Sequence, residues 1–121
     1  MFALVVAAGG AEVWLSELHY DNGGLDVNEG VEVTATAGTL MNGYKVAMYN
    51  QLGDVYGSVT LPASTMPDEG GSGYGAMWVA YAGLQNGPQD GIALVRIADS
   101  AVLQFVSWGG TTTGTAGEAS G

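Results

Sequence analysis

The chain has no cysteine, and only two cations, Lys45 and Arg96, stand against 12 Asp and Glu. Without cysteine there is no disulfide framework and no thiolate metal or redox site. Two cations cannot displace enough counterions to hold a phosphate backbone, which excludes direct nucleic-acid binding. No apolar run approaches the roughly 20 residues of a spanning helix, so no membrane span is expected. Helical periodicity is missing as well, because Gly and Asn interrupt the chain too often. What remains is a 121-residue chain, long enough for one domain, with 47% hydrophobic residues and a formal net charge of −10. That hydrophobic content is too high for a disordered chain. The acidity favours solubility, a divalent cation or a basic partner.

At the N-terminus, residues 2–8 (FALVVAA) lead into Gly9, Gly10 and Ala11, small residues at −3 and −1 of a cut before Glu12. This resembles the end of a signal peptide. Residues 1–11 are therefore expected to be a leader remnant or lead-in, and the protein to be secreted or held at a cell surface. A first β-strand is the plainer alternative.

Short apolar or alternating runs recur at 13–20, 31–35, 44–49, 55–61, 76–81, 92–97 and 102–108, each bounded by turn residues. β-Branched and aromatic residues crowd them, as a half-buried pleated surface selects. Seven short strands predict an all-β fold, a two-sheet antiparallel β-sandwich. Alternation places Val55, Gly57 and Val59 on one face. Residues 92–97 (IALVRI) read as a central strand buried on both sides, followed by a tight hairpin connection at 98–101. Residues 62–75, with Pro62, Pro67 and four glycines, read as a long flexible loop. From Gly109 onward nothing bulky and apolar remains, so the tail at 111–121 is expected to be mobile and to add no core strand.

The stretch 17–32 carries five of the twelve carboxylates and the only histidine. Glu17 and His19 share a strand face. Glu32 points away from the core if Val31 and Val33 point in, but its nearness to Glu17 depends on strand order. Carboxylate and amide oxygens on a Gly-rich loop suit Ca²⁺, making Glu17, His19, Asp21, Asp26 and Glu32 the candidate metal ligands. The span from Asp21 to Glu32 fails as an EF-hand, because Gly23, Leu25 and Asp26 stand where ligand, ligand and Gly are required. Asx-turns at Asp21, Asn22, Asp26 and Asn28 explain the same residues without a metal. No nucleophile elbow accompanies His19, and 69–75 lacks the Lys and helix of a phosphate loop. Trp14, Trp78 and Trp108, with Tyr44, Tyr49, Tyr56, Tyr74 and Tyr81, suit either a sandwich core or a stacking face for glycans.

In order, Glu17-Leu18-His19-Tyr20-Asp21-Asn22, Asp26-x-x-Glu29-x-Val31-Glu32-Val33 and Leu40-x-x-Gly43-Tyr44-x-Val46-x-x-Tyr49-Asn50 resemble a bacterial lamin-tail-like domain. Leu84-Gln85-Asn86-Gly87-x-x-Asp90-Gly91-Ile92-Ala93-Leu94-Val95 and Val102-x-x-Phe105-Val106-Ser107-Trp108 continue the resemblance, which covers 12–110. It implies an Ig-like β-sandwich, usually exported and often attached to secreted nucleases, phosphatases or surface proteins, with no activity of its own. Gly30 stands where relatives carry a bulky residue, so its strand is expected to start late or bulge. Relatives also continue past Gly121; a missing C-terminal strand would leave an edge open to strand addition and self-assembly. The expected function is a non-enzymatic secreted or surface-displayed module for binding, adhesion or assembly with a protein or glycan partner. The alternatives are a divalent-metal-dependent nuclease or phosphoesterase built on Glu17, His19, Asp21 and Glu32, and a Ca²⁺-stabilised structural domain.

Overall fold

The structure, a computed structural model, describes residues 11–21, 23–85 and 87–120. The leader-like run at 2–8 lies outside them. Among the described residues, seven strands form where the sequence alternates or turns wholly apolar: β1 (Val13–His19), β2 (Gly30–Thr36), β3 (Tyr44–Tyr49), β4 (Val55–Thr60), β5 (Tyr74–Ala80), β6 (Asp90–Arg96) and β7 (Ala101–Trp108). They pair antiparallel into two sheets, ordered β1-β2-β5 and β4-β3-β6-β7, which pack together as a β-sandwich. Hairpins join β1 to β2, β3 to β4 and β6 to β7; the other connections cross between the sheets. An Ig constant domain splits its strands four and three, ABED and CFG. Here the fourth strand pairs with the third, so the larger sheet is the one holding β6 and β7.

Between the sheets, Val31, Val33, Ala35 and Val79 meet Val46, Met48, Ile92 and Leu94, each at most 6% exposed. Burial of each larger side chain contributes roughly 1.5–3 kcal/mol, and this sets which parity of each strand faces in. Trp108 closes one end of the core. Its indole N–H donates to the Gln85 carbonyl at 3.1 Å, and its ring stacks on Tyr20 with centroids 5.1 Å apart.

Three segments depart from the sequence reading. In β4 the register shifts so that Tyr49 faces Val55 while Met48 faces Gly57. Tyr56 is thus the extra residue of a bulge and packs on the core with Val59, whereas Val55 sits beside Tyr49 on the other face. Residues 62–75 do not form one flexible loop. Leu61 and Met66 are 2% exposed, Met41 N donates to Ser64 O at 2.9 Å, and Met66 N donates to Thr39 O at 2.9 Å. Tyr74 and Gly75 already belong to β5.

The C-terminal segment is the third departure. It contains no strand among the described residues, yet it covers the middle of the outer side of the four-stranded sheet, leaving Val55 and Val102 at its margins 38 and 37% exposed. Ala47, Tyr49, Ala93 and Val95 are at most 1% exposed beneath it. The Tyr49 hydroxyl donates to Ala116 O and accepts from Ala119 N, both at 3.0 Å. Thr115 N donates to Gly53 O at 2.9 Å, and Lys45 Nζ meets Glu118 Oε2 at 2.7 Å. Small residues let this segment lie flat: a Cβ at Gly117, where φ is +64°, would come within 2.9 Å of the Tyr49 hydroxyl. The hydrogen bond from Lys45 holds the Glu118 carboxyl below its usual range. This contribution is present above the ordinary carboxylate pKa and is lost as pH falls through the depressed value.

Candidate functional site

The outer side of the three-stranded sheet is built differently. With Val31, Val33 and Ala35 turned inward, alternation turns Glu32, Thr34 and Thr36 of β2 outward. On β5 the same rule turns Tyr74, Ala76 and Trp78 outward, opposite Met77 and Val79. On β1 the register shifts between Leu15 and Glu17. Leu15 and Leu18 both reach the core across this bulge, and Trp14, Glu17 and His19 lie on the outer side. Gly30 pairs regularly within β2; the irregularity falls in β1, and β2 starts at Gly30 rather than after it.

Cross-strand register arranges these residues in rows. Trp14, Thr34 and Ala76 form one, Glu17, Glu32 and Trp78 the next, and His19, Gly30 and Ala80 the last. Trp14 and Tyr74 meet edge to face with ring centroids 5.5 Å apart, a favoured aromatic geometry. The Tyr74 hydroxyl donates to Glu12 Oε1 at 2.7 Å. That hydrogen bond to a carboxylate raises the phenol pKa above its ordinary value. Trp78 lies against Gly30, where a Cβ would fall 2.8 Å from ring atoms. The missing side chain is what lets the indole lie down on the sheet. Between the rings runs a hydroxyl relay: Thr34 Oγ1 donates to Ser16 Oγ, and Ser16 Oγ donates to Glu32 Oε1, both at 2.7 Å.

Trp14, Tyr74 and Trp78 are 37, 38 and 43% exposed. The remaining aromatic candidates pack inside or at the margins. Tyr49 stacks edge to face on Phe105 beneath the C-terminal segment, Trp108 is in the core, and Tyr44, Tyr56 and Tyr81 are packed against it. The fold therefore divides the aromatic residues between packed positions and this half-exposed face. Tyr74 and Trp78 are four residues apart on one strand, about 13 Å at the usual rise per residue.

Of the candidate metal ligands, Glu17, His19 and Glu32 come to this one face, with Glu17 directly opposite Glu32. Asp21 and Asp26 lie in the β1–β2 connection instead. Among the described residues, no three His, Asp or Glu side chains form a group that could hold a metal ion. Glu29 turns inward from the same connection; it is 7% exposed, and its Oε1 accepts from Gly83 N at 2.6 Å. Glu12, Ser16 and Thr34 carry part of the site and carry no motif. Alternation along β2 is a signal that could have found Thr34; Glu12 precedes β1 and Ser16 sits at its register shift, so alternation finds neither.

Compared with family models, with curated proteins and with solved structures, the chain matches none.

Proposed function

We propose that this chain is a non-catalytic binding module, secreted or displayed at a cell surface, which engages its partner through the outer face of the three-stranded sheet. One observation carries the reading: Trp14, Tyr74 and Trp78 stand exposed together on that face, while the middle of the corresponding face of the other sheet, at Ala47, Tyr49, Ala93 and Val95, is covered by the chain's own C-terminal segment. Rings held half in water forgo part of the burial energy that drives the rest of the fold. Grouped exposed apolar surface of this kind marks contact sites. A sheet also holds the rings in place before any ligand arrives, which reduces the entropy lost on binding. The resemblance of 12–110 to bacterial lamin-tail-like domains and the leader-like N-terminus support an exported setting.

The test is retention of the purified chain on three surfaces: cellulose, chitin and polyarginine-agarose. The account expects retention on at least one. Trp14→Ala and Trp78→Ala should each reduce it about tenfold, in line with the cost of losing an aromatic anchor, with the native circular-dichroism spectrum kept. No retention on any of the three, or retention that survives both substitutions, contradicts it.

A further inference from the structure

We infer that the occupant of this face is an arginine-bearing extended segment of a partner protein; the inference rests on the binding-face reading above. The first support is charge. Glu12, Glu17 and Glu32 lie on or beside the face, Glu69 joins them at its β5 edge, where its Oε2 accepts from Ala76 N at 3.3 Å, and His19 at the margin is the one side-chain nitrogen of a His, Lys or Arg there among the described residues. The chain's two cations are engaged elsewhere, Lys45 with Glu118 and Arg96 with Asp99 at 2.8 Å. Among the described residues, no lysine or arginine of the protein itself serves these carboxylates.

The second support is the register. Glu17 and Glu32 are directly opposed cross-strand partners on an exposed face, an arrangement that destabilises a sheet. A cation set between them turns that repulsion into attraction. The third support is the company they keep. Trp78 stands in the same row as Glu32, and Trp14 in the next. A ring face beside a carboxylate is the pairing a guanidinium satisfies best, by stacking on the ring and donating in parallel to the two oxygens. A neutral sugar would use the rings and leave the opposed carboxylates unrelieved. The ends of the face also repeat the theme: Tyr74 with Glu12, and Trp78 with Glu32, about 13 Å apart along β5. In an extended peptide, side chains at i and i+4 span the same length.

The experiment titrates the full chain with an alternating arginine–serine peptide, its lysine–serine counterpart and cellohexaose, read by calorimetry. The arginine peptide is expected to bind more tightly than the lysine peptide. Trp78→Ala and Glu32→Gln should each weaken it about tenfold, while Asp54→Asn, an exposed acid on the other sheet's hairpin, leaves it within about twofold. Binding that falls with salt yet ignores Trp78→Ala and Glu32→Gln is diffuse attraction to an acidic chain, and overturns the inference. Equal affinity for lysine and arginine overturns it too. Cellohexaose binding that Trp14→Ala removes, without arginine-peptide binding, overturns the cationic occupant and leaves the face standing as a contact surface. Binding of none of the three removes the inference, and the retention assay then decides the face separately.

Discussion

Tyr49→Ala is expected to destabilise the protein by about 3–5 kcal/mol, the range for emptying a buried aromatic site. Sequence alone places Tyr49 at the end of a strand and leaves it open between the core and a stacking face. In the structure it is fully buried, stacked on Phe105 at 5.3 Å and bonded at its hydroxyl to both Ala116 and Ala119. Removing the ring takes away the floor on which the C-terminal segment rests. Tyr49→Phe keeps the floor and leaves the Ala116 carbonyl and Ala119 amide without the hydroxyl, at a cost of about 1–3 kcal/mol. Urea unfolding measures both. If the segment were mobile, Tyr49 would be a surface residue, the Phe substitution would be nearly silent and the Ala substitution would cost well under 3 kcal/mol.

Gly30→Val is the second large effect, and it joins stability to binding. A Cβ at Gly30 would run into the Val79 carbonyl oxygen and the Trp78 ring. The carbonyl belongs to the neighbouring strand and cannot move without β5. Overpacking of this kind costs about 1–3 kcal/mol. The indole is lifted from the sheet at the same time, so retention on the surface that holds the parent chain should fall as it does for Trp78→Ala. A stable Gly30→Val protein with unchanged retention would show that the position of the ring does not matter.

The strands were legible because their signal is local. Period-two alternation and turn residues mark all seven within about two residues, from Val13 to Trp108. The rest depends on contacts between distant segments. Strand order decides that Glu32 lies against Glu17, and no spacing within 17–32 contains that information. The bulges near Ser16 and at Tyr56 reverse the inward and outward parity along β1 and β4, and so alternation misplaced Val55. The C-terminal segment looked inert because it has no bulky side chain, but a clue to its role lay elsewhere. A strand apolar on both faces, such as 92–95, needs cover on both, and small residues close against a flat sheet where large ones cannot; Arg96 and Ile97, read as part of the same buried run, are exposed. The aromatic residues illustrate the same limit. Their number suggested either core or contact face, and only the sheet parity separates Trp14, Tyr74 and Trp78 from Tyr49 and Trp108.

The most direct measurement is the proton–nitrogen spectrum of the three tryptophan indoles during titration with the arginine–serine peptide. Trp14 and Trp78 stand on the proposed face, while the Trp108 indole is committed to the Gln85 carbonyl inside the fold. The account predicts that the first two indole signals shift together and saturate while Trp108 stays in place. Shifts confined to Trp108 and to residues of the C-terminal segment, with Trp14 and Trp78 unmoved, would contradict it.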